Sequence, residues 1–196
     1  MYRKLEHNNP QLSQHKYSNE TLEGLEIDLK EEGAVHLFQN CDIKECYIRV
    51  NSSSTSTPNI LSGNRWSNCI FHPNKELSLS TIEADFYHCT FKGKWSGRIK
   101  GEVEGCDFSG ASLINFAFYN IQSAGANTFP GANTVLIEHA GSHLDELKAA
   151  LSGKSRLCLH IRPEVGLFVF DIAKHKDSKV LREVLPGLPY VKYALC

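Results

Sequence analysis

Residues 106–120 read CDFSG, ASLIN, FAFYN, and each block of five carries a large apolar residue third: Phe108, Leu113 and Phe118. A helix repeats its buried face every 3.6 residues and a strand every 2.0, so a period of five fits neither. It fits a chain that turns a corner every five residues and sends the same kind of side chain inward each time. Four such faces close a coil of roughly 20 residues, and stacked coils bury a continuous axis that no single coil could bury alone.

The cysteines follow the same rule. Each of the five up to residue 110 precedes a large apolar residue by two positions: Cys41 and Ile43, Cys46 and Ile48, Cys69 and Phe71, Cys89 and Phe91, Cys106 and Phe108. Alanine takes the cysteine's place in the pairs Ala84 and Phe86, and Ala111 and Leu113. The position therefore calls for a small apolar residue, and the seven cysteines suit buried free thiols better than a disulfide framework. Phe71 and Phe91 lie 20 residues apart, one full coil. Ile48 and Phe71 lie 23 apart, the excess falling in the polar NSSSTSTPN (51–59), which reads as a bulge. Phe91 and Phe108 are only 17 apart, so KGKWSGRIKGEVEG breaks the frame, with Ile99 and Val103 as its expected inward residues.

This pattern resembles the pentapeptide-repeat family, most closely in CDIKECYIRV (41–50), ADFYHCTFKG (84–93) and residues 106–120. The resemblance implies a mainly β chain with a short right-handed quadrilateral β-helix over residues 34–135. Residues 1–33 are expected to cap its first coil, where Leu22, Leu25, Ile27 and Leu29 among acids fit a helix or a strand. GANTFPGANTV (125–135) reads as the last irregular turn. Residues 136–196 read as a small α/β lobe. Ser142 with Asp145 opens a short helix that Gly153 stops, and Asp177 caps a second over 177–185 that Pro186 and Gly187 end. Between them RLCLHI (156–161) and LFVFDI (167–172) are expected to form a hairpin.

Charge narrows the function classes. The formal net charge is −1, and residues 34–135 carry 8 basic and 8 acidic side chains, so no global excess points to nucleic acid. The resemblance also suggests duplex-DNA mimicry, but that needs clustered acids, and a neutral coil segment argues against it. No apolar run reaches the roughly 18 residues of a membrane span, and the N-terminus lacks an apolar leader core, so the chain reads as cytoplasmic with no membrane partner. Gly153-Lys154-Ser155 lacks the first glycine of a phosphate loop and would follow a helix, not open one.

Four groups of residues invite a chemical reading. Cys69 with His72 and His88 with Cys89 suggest metal, but their spacing does not converge on a tetrahedron, and neither a metal nor a cofactor is expected. Cys158 and His160 share one face of the expected strand, with Asp171 across the hairpin to orient the histidine. That inventory fits a small thiol-dependent hydrolase or transferase, yet no strained turn or helix N-terminus flanks Cys158 to bind an oxyanion. Tyr119, the outward neighbour of Phe118, together with Tyr87 and His88, is a candidate for binding. The apolar tail LPYVKYALC is a candidate homodimer interface. The leading expectation is a non-enzymatic bacterial protein-interaction module, an inhibitor or immunity-type protein whose partner is another protein.

Overall fold

The computed structural model describes residues 2–5, 17–30, 37–51, 61–78, 81–131 and 133–194. Most of the polar bulge after Asn51 and the last two residues of the apolar tail, Leu195 and Cys196, lie outside them. Strands from successive coils stack in parallel on four faces. Face 1 pairs Tyr17–Ser18 with Phe38–Gln39. Face 2 stacks Thr21–Glu23, Asp42–Lys44, Arg65–Ser67, Asp85–Tyr87 and Val103–Glu104. Face 3 stacks Arg3–Lys4, Leu25–Lys30, Tyr47–Asn51, Ile70–Pro73 and Thr90–Phe91, and Asp107 and Thr128 extend it as single bridges. Face 4 stacks Leu77–Ser78, Gly93–Ile99 and Ala111–Phe118. The result is a parallel β-solenoid of about four turns in a mainly β chain. Among the described residues no helix is long and apolar enough to cross a membrane.

The corner between faces 2 and 3 shows why glycine or a polar residue recurs after each face 2 strand. Gly24, Glu45, Asn68, His88 and Gly105 stand one above another there, all with φ between 51° and 65°. Side chains other than glycine and asparagine enter this left-handed region at a cost. A ladder of backbone hydrogen bonds offsets it: Glu45 N–H donates to Ser67 O at 2.9 Å, Asn68 N–H to Tyr87 O at 2.9 Å, and His88 N–H to Glu104 O at 2.8 Å.

Inside, the expected columns stand in register. Ile27, Ile48, Phe71, Phe91, Phe108 and Phe129 line one wall, all buried. The rings of Phe71 and Phe91 stack at 5.0 Å, Phe91 and Phe108 at 4.5 Å, Phe108 and Phe129 at 5.3 Å, with interplanar angles of 15°, 15° and 5°. Beside them Cys46, Cys69, Cys89 and Cys106 form a column of free thiols at most 1% exposed. The adjoining thiols, Cys69 beside Cys46 and first Cys106, then Cys69, beside Cys89, and after them burial, raise the pKa of Cys46 and Cys89 well above the ordinary thiol range. The side chains behave as small hydrophobes whose S–H groups face backbone carbonyls, as Cys89 Sγ does at 3.4 Å from both Trp66 O and Tyr87 O. Asn127 ends the column: its Oδ1 accepts from Cys106 N at 2.8 Å, and its Nδ2 donates to Val103 O and Ala124 O, both at 3.1 Å. In the neighbouring column Asn64 stands between Cys41 and Ala84, accepting from Cys41 N at 3.0 Å and donating to Ser62 O at 2.8 Å.

The frame break is a tighter coil. Its inward residues are Phe91, Trp95, Ile99, Val103 and Phe108, all at most 3% exposed, so three faces take four residues and one takes five. A bulge at Ser96/Gly97, with Gly97 at φ 125°, re-registers the face 4 strand against Ala111–Phe118. The shortened corner also packs Gly101 on the coil below, where a Cβ would meet Ala84 O at 1.9 Å. Ile99 and Val103 point inward as expected, and Trp95 joins them. At the other end, Thr21–Glu23 and Leu25–Lys30 pair in register with residues 42–44 and 47–51, so the stretch expected to cover the first coil is itself wound into the solenoid.

Face 4 does not stop at the solenoid. The second half of Ala111–Phe118 pairs antiparallel with Leu167–Asp171, followed by Thr134–Glu138 and Val191–Tyr193, giving one six-stranded sheet. Leu136, Leu167 and Val169 join the solenoid core, whereas Val135, Ile137, Phe168 and Phe170 join a second core beneath helices α1 (Leu144–Leu151) and α2 (Ser178–Val184). Burial on both sides explains the near-continuous apolar runs TVLI and LFVF. Three local expectations are corrected. Leu157–His160 forms a 3₁₀ helix, so 156–161 is no strand and there is no hairpin with 167–172. Helix α1 starts after His143 and lacks a side-chain cap. The Asp177 carboxylate accepts from Ser155 Oγ at 2.8 Å and Arg156 N at 2.9 Å, fastening the 3₁₀ turn to the entrance of α2 in place of capping it.

Candidate interaction face

Alternation along each face 2 strand sends one residue in and its two neighbours out. The inward wall is Leu22, Ile43, Trp66, Phe86 and Val103. Outside stand two columns: Thr21, Asp42, Arg65, Asp85 and Glu102 on one side, Glu23, Lys44, Ser67, Tyr87 and Glu104 on the other. Five carboxylates face two cations. Face 3 is balanced by contrast, with Lys4, Arg49 and Lys92 against Glu26, Asp28 and Asp107 along its outer positions. At a strand spacing of about 4.8 Å the five rungs of face 2 span roughly 19 Å.

The centre of this face is tied together. The Arg65 guanidinium lies 4.9 Å from the Tyr87 ring centroid and donates to Tyr87 Oη at 3.4 Å. Tyr87 in turn donates its O–H to Glu102 Oε2. The Glu102 carboxylate raises the phenol's pKa, so Tyr87 remains a donor, and the Tyr87 oxygen raises that of Arg65. Lys44 Nζ lies 2.8 Å from Asp42 Oδ2. Beside these residues, at the corner with face 1, runs an open groove of about 590 Å³ lined among others by Asn40, Asp42, Arg65, Glu83, Asp85 and Lys100. Asp85 Oδ1 accepts from Glu102 N at 2.9 Å and Glu83 Oε1 from Lys100 Nζ at 3.2 Å, whereas Asp42 Oδ1 is buried with no hydrogen-bond partner among the described residues.

Of the expected binding residues, Tyr87 lies at the centre of face 2 and His88 is exposed at the adjoining left-handed corner. Tyr119 is half-buried and packs against the lobe core, so it does not stand free on the coil surface. The thiol-centred trio is not brought together. In a 3₁₀ helix residues two apart point about 240° apart, so Cys158 and His160 share no face. Burial pushes the Cys158 thiol up, opposite to the activation a nucleophile needs. Asp171 accepts from Ala173 N at 3.0 Å and pairs with Lys174 Nζ at 3.2 Å. The metal pairs also separate: Cys69 faces the core while His72, on the outer side of face 3, bonds through Nδ1 to Tyr47 Oη at 2.8 Å, and Cys89 is inside where His88 is outside.

Sequence reasoning missed the acid-rich face because charge was counted along the chain, and only the coil register sorts those charges by face. Comparison with models of protein families, with curated proteins and with solved structures found no match to this chain.

Proposed function

We propose that this chain is a non-enzymatic protein-interaction module of the pentapeptide-repeat kind, an inhibitory or immunity-type protein that binds another protein through face 2. The observation that carries the reading is the segregation of five outward carboxylates around the Arg65–Tyr87–Glu102 cluster, on a rigid stack whose adjoining face 3 is charge-balanced. Rigidity favours this use: side chains held on a solenoid lose little conformational freedom on docking, so more of the contact energy survives as affinity. A charged face also steers its partner and sets specificity more than it adds raw affinity.

The test is capture from a lysate of the source organism at physiological salt. The wild-type chain and a Lys92→Glu control on the face 3 side are expected to retain a partner that Glu23→Lys/Glu104→Lys loses. Capture of nothing, or of the same proteins by all three, contradicts the reading.

A further inference from the structure

One side chain joins two basic segments of the lobe that lie apart in sequence. Asp177, at the entrance of α2, accepts from Ser155 Oγ and Arg156 N, which sets residues 154–162 beside residues 173–179. Together these stretches carry six lysines and arginines against a single acid, Asp177 itself, whose carboxylate those two donors already engage. Lys174 is held by Asp171. Lys154, Arg156, Arg162, Lys176 and Lys179 are exposed and form no ion pair among the described residues. Glu164, just past Arg162, subtracts one charge from the patch.

An apolar group stands among these cations. Leu159 is 76% exposed, more than any other large hydrophobic side chain among the described residues. The 3₁₀ helix Leu157–His160 presents it: residues three apart eclipse, so Leu159 projects on the same side as Arg156, whose carbonyl accepts from Leu159 N at 3.0 Å. Leu157 and Ile161, 0% and 4% exposed, root the turn in the lobe core on either side. A protruding leucine is thus held in place amid free cations. Leucine is under-represented among the residues that anchor protein interfaces. A bilayer takes an apolar tip without shape complementarity, and its anionic headgroups attract lysine and arginine.

Independently of face 2, we propose that the lobe docks on an anionic lipid surface through this patch, Leu159 entering the boundary between headgroups and acyl chains and the five free cations facing the lipid phosphates and carboxylates. The sequence expectation of no membrane partner rested on the lack of a span, and a peripheral contact needs none.

Vesicle pelleting of the full chain at about 0.1 M salt tests this with two compositions, pure phosphatidylcholine and a mixture holding about 30% phosphatidylserine. The chain is expected to bind the anionic vesicles at least about 100-fold more tightly than the neutral ones. Lys176→Gln/Lys179→Gln should weaken that binding about 25-fold, at about fivefold per cation near such a surface. Leu159→Ser should weaken it about tenfold, and Lys92→Gln on face 3 should leave it unchanged. These positions are all exposed, so the substitutions spare the core. No binding to either vesicle, equal binding to both, or a loss through Lys92→Gln as large as through the lysine pair overturns the proposal. So does binding that falls with the lysine pair but is indifferent to Leu159→Ser, which would assign the patch to a polyanion such as nucleic acid. None of these outcomes touches lysate capture and its dependence on Glu23 and Glu104, so the lipid contact and the interaction reading fail separately.

Discussion

Phe91→Ala removes the ring on which the stack depends most. Phe91 is 1% exposed and lies between Phe71 at 5.0 Å and Phe108 at 4.5 Å, with Phe86 and Trp95 edge-on at 5.4 and 5.3 Å. A buried aromatic side chain withdraws about 150–250 Å² from water, worth roughly 4–6 kcal/mol at about 25 cal/mol per Å². Alanine keeps the first carbon's share, while a cavity walled by four rings and the backbones of two coils collapses poorly. The expected cost is about 3–5 kcal/mol, or about 6–20 °C in Tm for a chain of this size. Thr90→Ala is the matched control, one residue away on the outer side of the same strand, and should stay within about 0.5 kcal/mol. Urea and thermal unfolding followed by circular dichroism reads both. Equal losses for the two variants, or less than about 1 kcal/mol for Phe91→Ala, would refute the inward frame.

Further outcomes follow from individual contacts. Gly101→Ala should lower stability by about 2 kcal/mol or more, seen as a lower Tm, because its Cβ would press on a backbone oxygen at 1.9 Å that no rotamer change can move. Cys41, Cys46, Cys69, Cys89 and Cys106 should resist iodoacetamide until the chain is unfolded, as peptide mapping by mass spectrometry would reveal, whereas labelling of the native column would contradict its burial. Tyr119→Ala should cost about 1–2 kcal/mol through lost packing on the lobe core, measured by urea midpoint. His175 is held below the ordinary imidazole range, first by burial, with Asp177 opposing. Its unfolded form therefore binds a proton first as pH falls. Stability from this group is full above the unfolded value of about 6.5 and declines as pH drops through it. His175→Gln should flatten that decline in urea midpoints, and an unchanged slope would show that another group carries it.

How much was legible depends on which residues were consulted. The rule of a small residue two before a large one located the core because sterics enforce it: a corner that brings two inward side chains together has room for one bulky group. The rule was read too narrowly. Asn64 with Trp66 and Asn127 with Phe129 obey the same spacing, with a polar residue in the small place that the amide's own hydrogen bonds make tolerable. Residues 21–30 looked ambiguous because their coil carries Leu22 and Ile27 with leucine, not cysteine, at position 25, which is nonetheless buried. The four-residue faces of the tight coil left no pentapeptide trace, and only Gly101 and the bulge at Ser96/Gly97 explain how the wall stays aligned. Cys158 and His160 misled for a different reason. Alternation in RLCLHI is as compatible with a short 3₁₀ turn as with a strand, and Asp177, 19 residues beyond Cys158, decides between them by gripping Ser155 and Arg156. The candidate face was hidden by averaging, since 8 and 8 charges cancel along residues 34–135 but not on the side where Asp42, Asp85, Glu102 and Glu104 stand.

The account stands on the winding itself, and nuclear Overhauser spectroscopy of the aromatic rings measures it most directly. It predicts cross-peaks joining Phe71 to Phe91, Phe91 to Phe108 and Phe108 to Phe129, at sequence separations of 20, 17 and 21. Rings that instead connect to residues three or four positions away, with none of these three contacts, would contradict it.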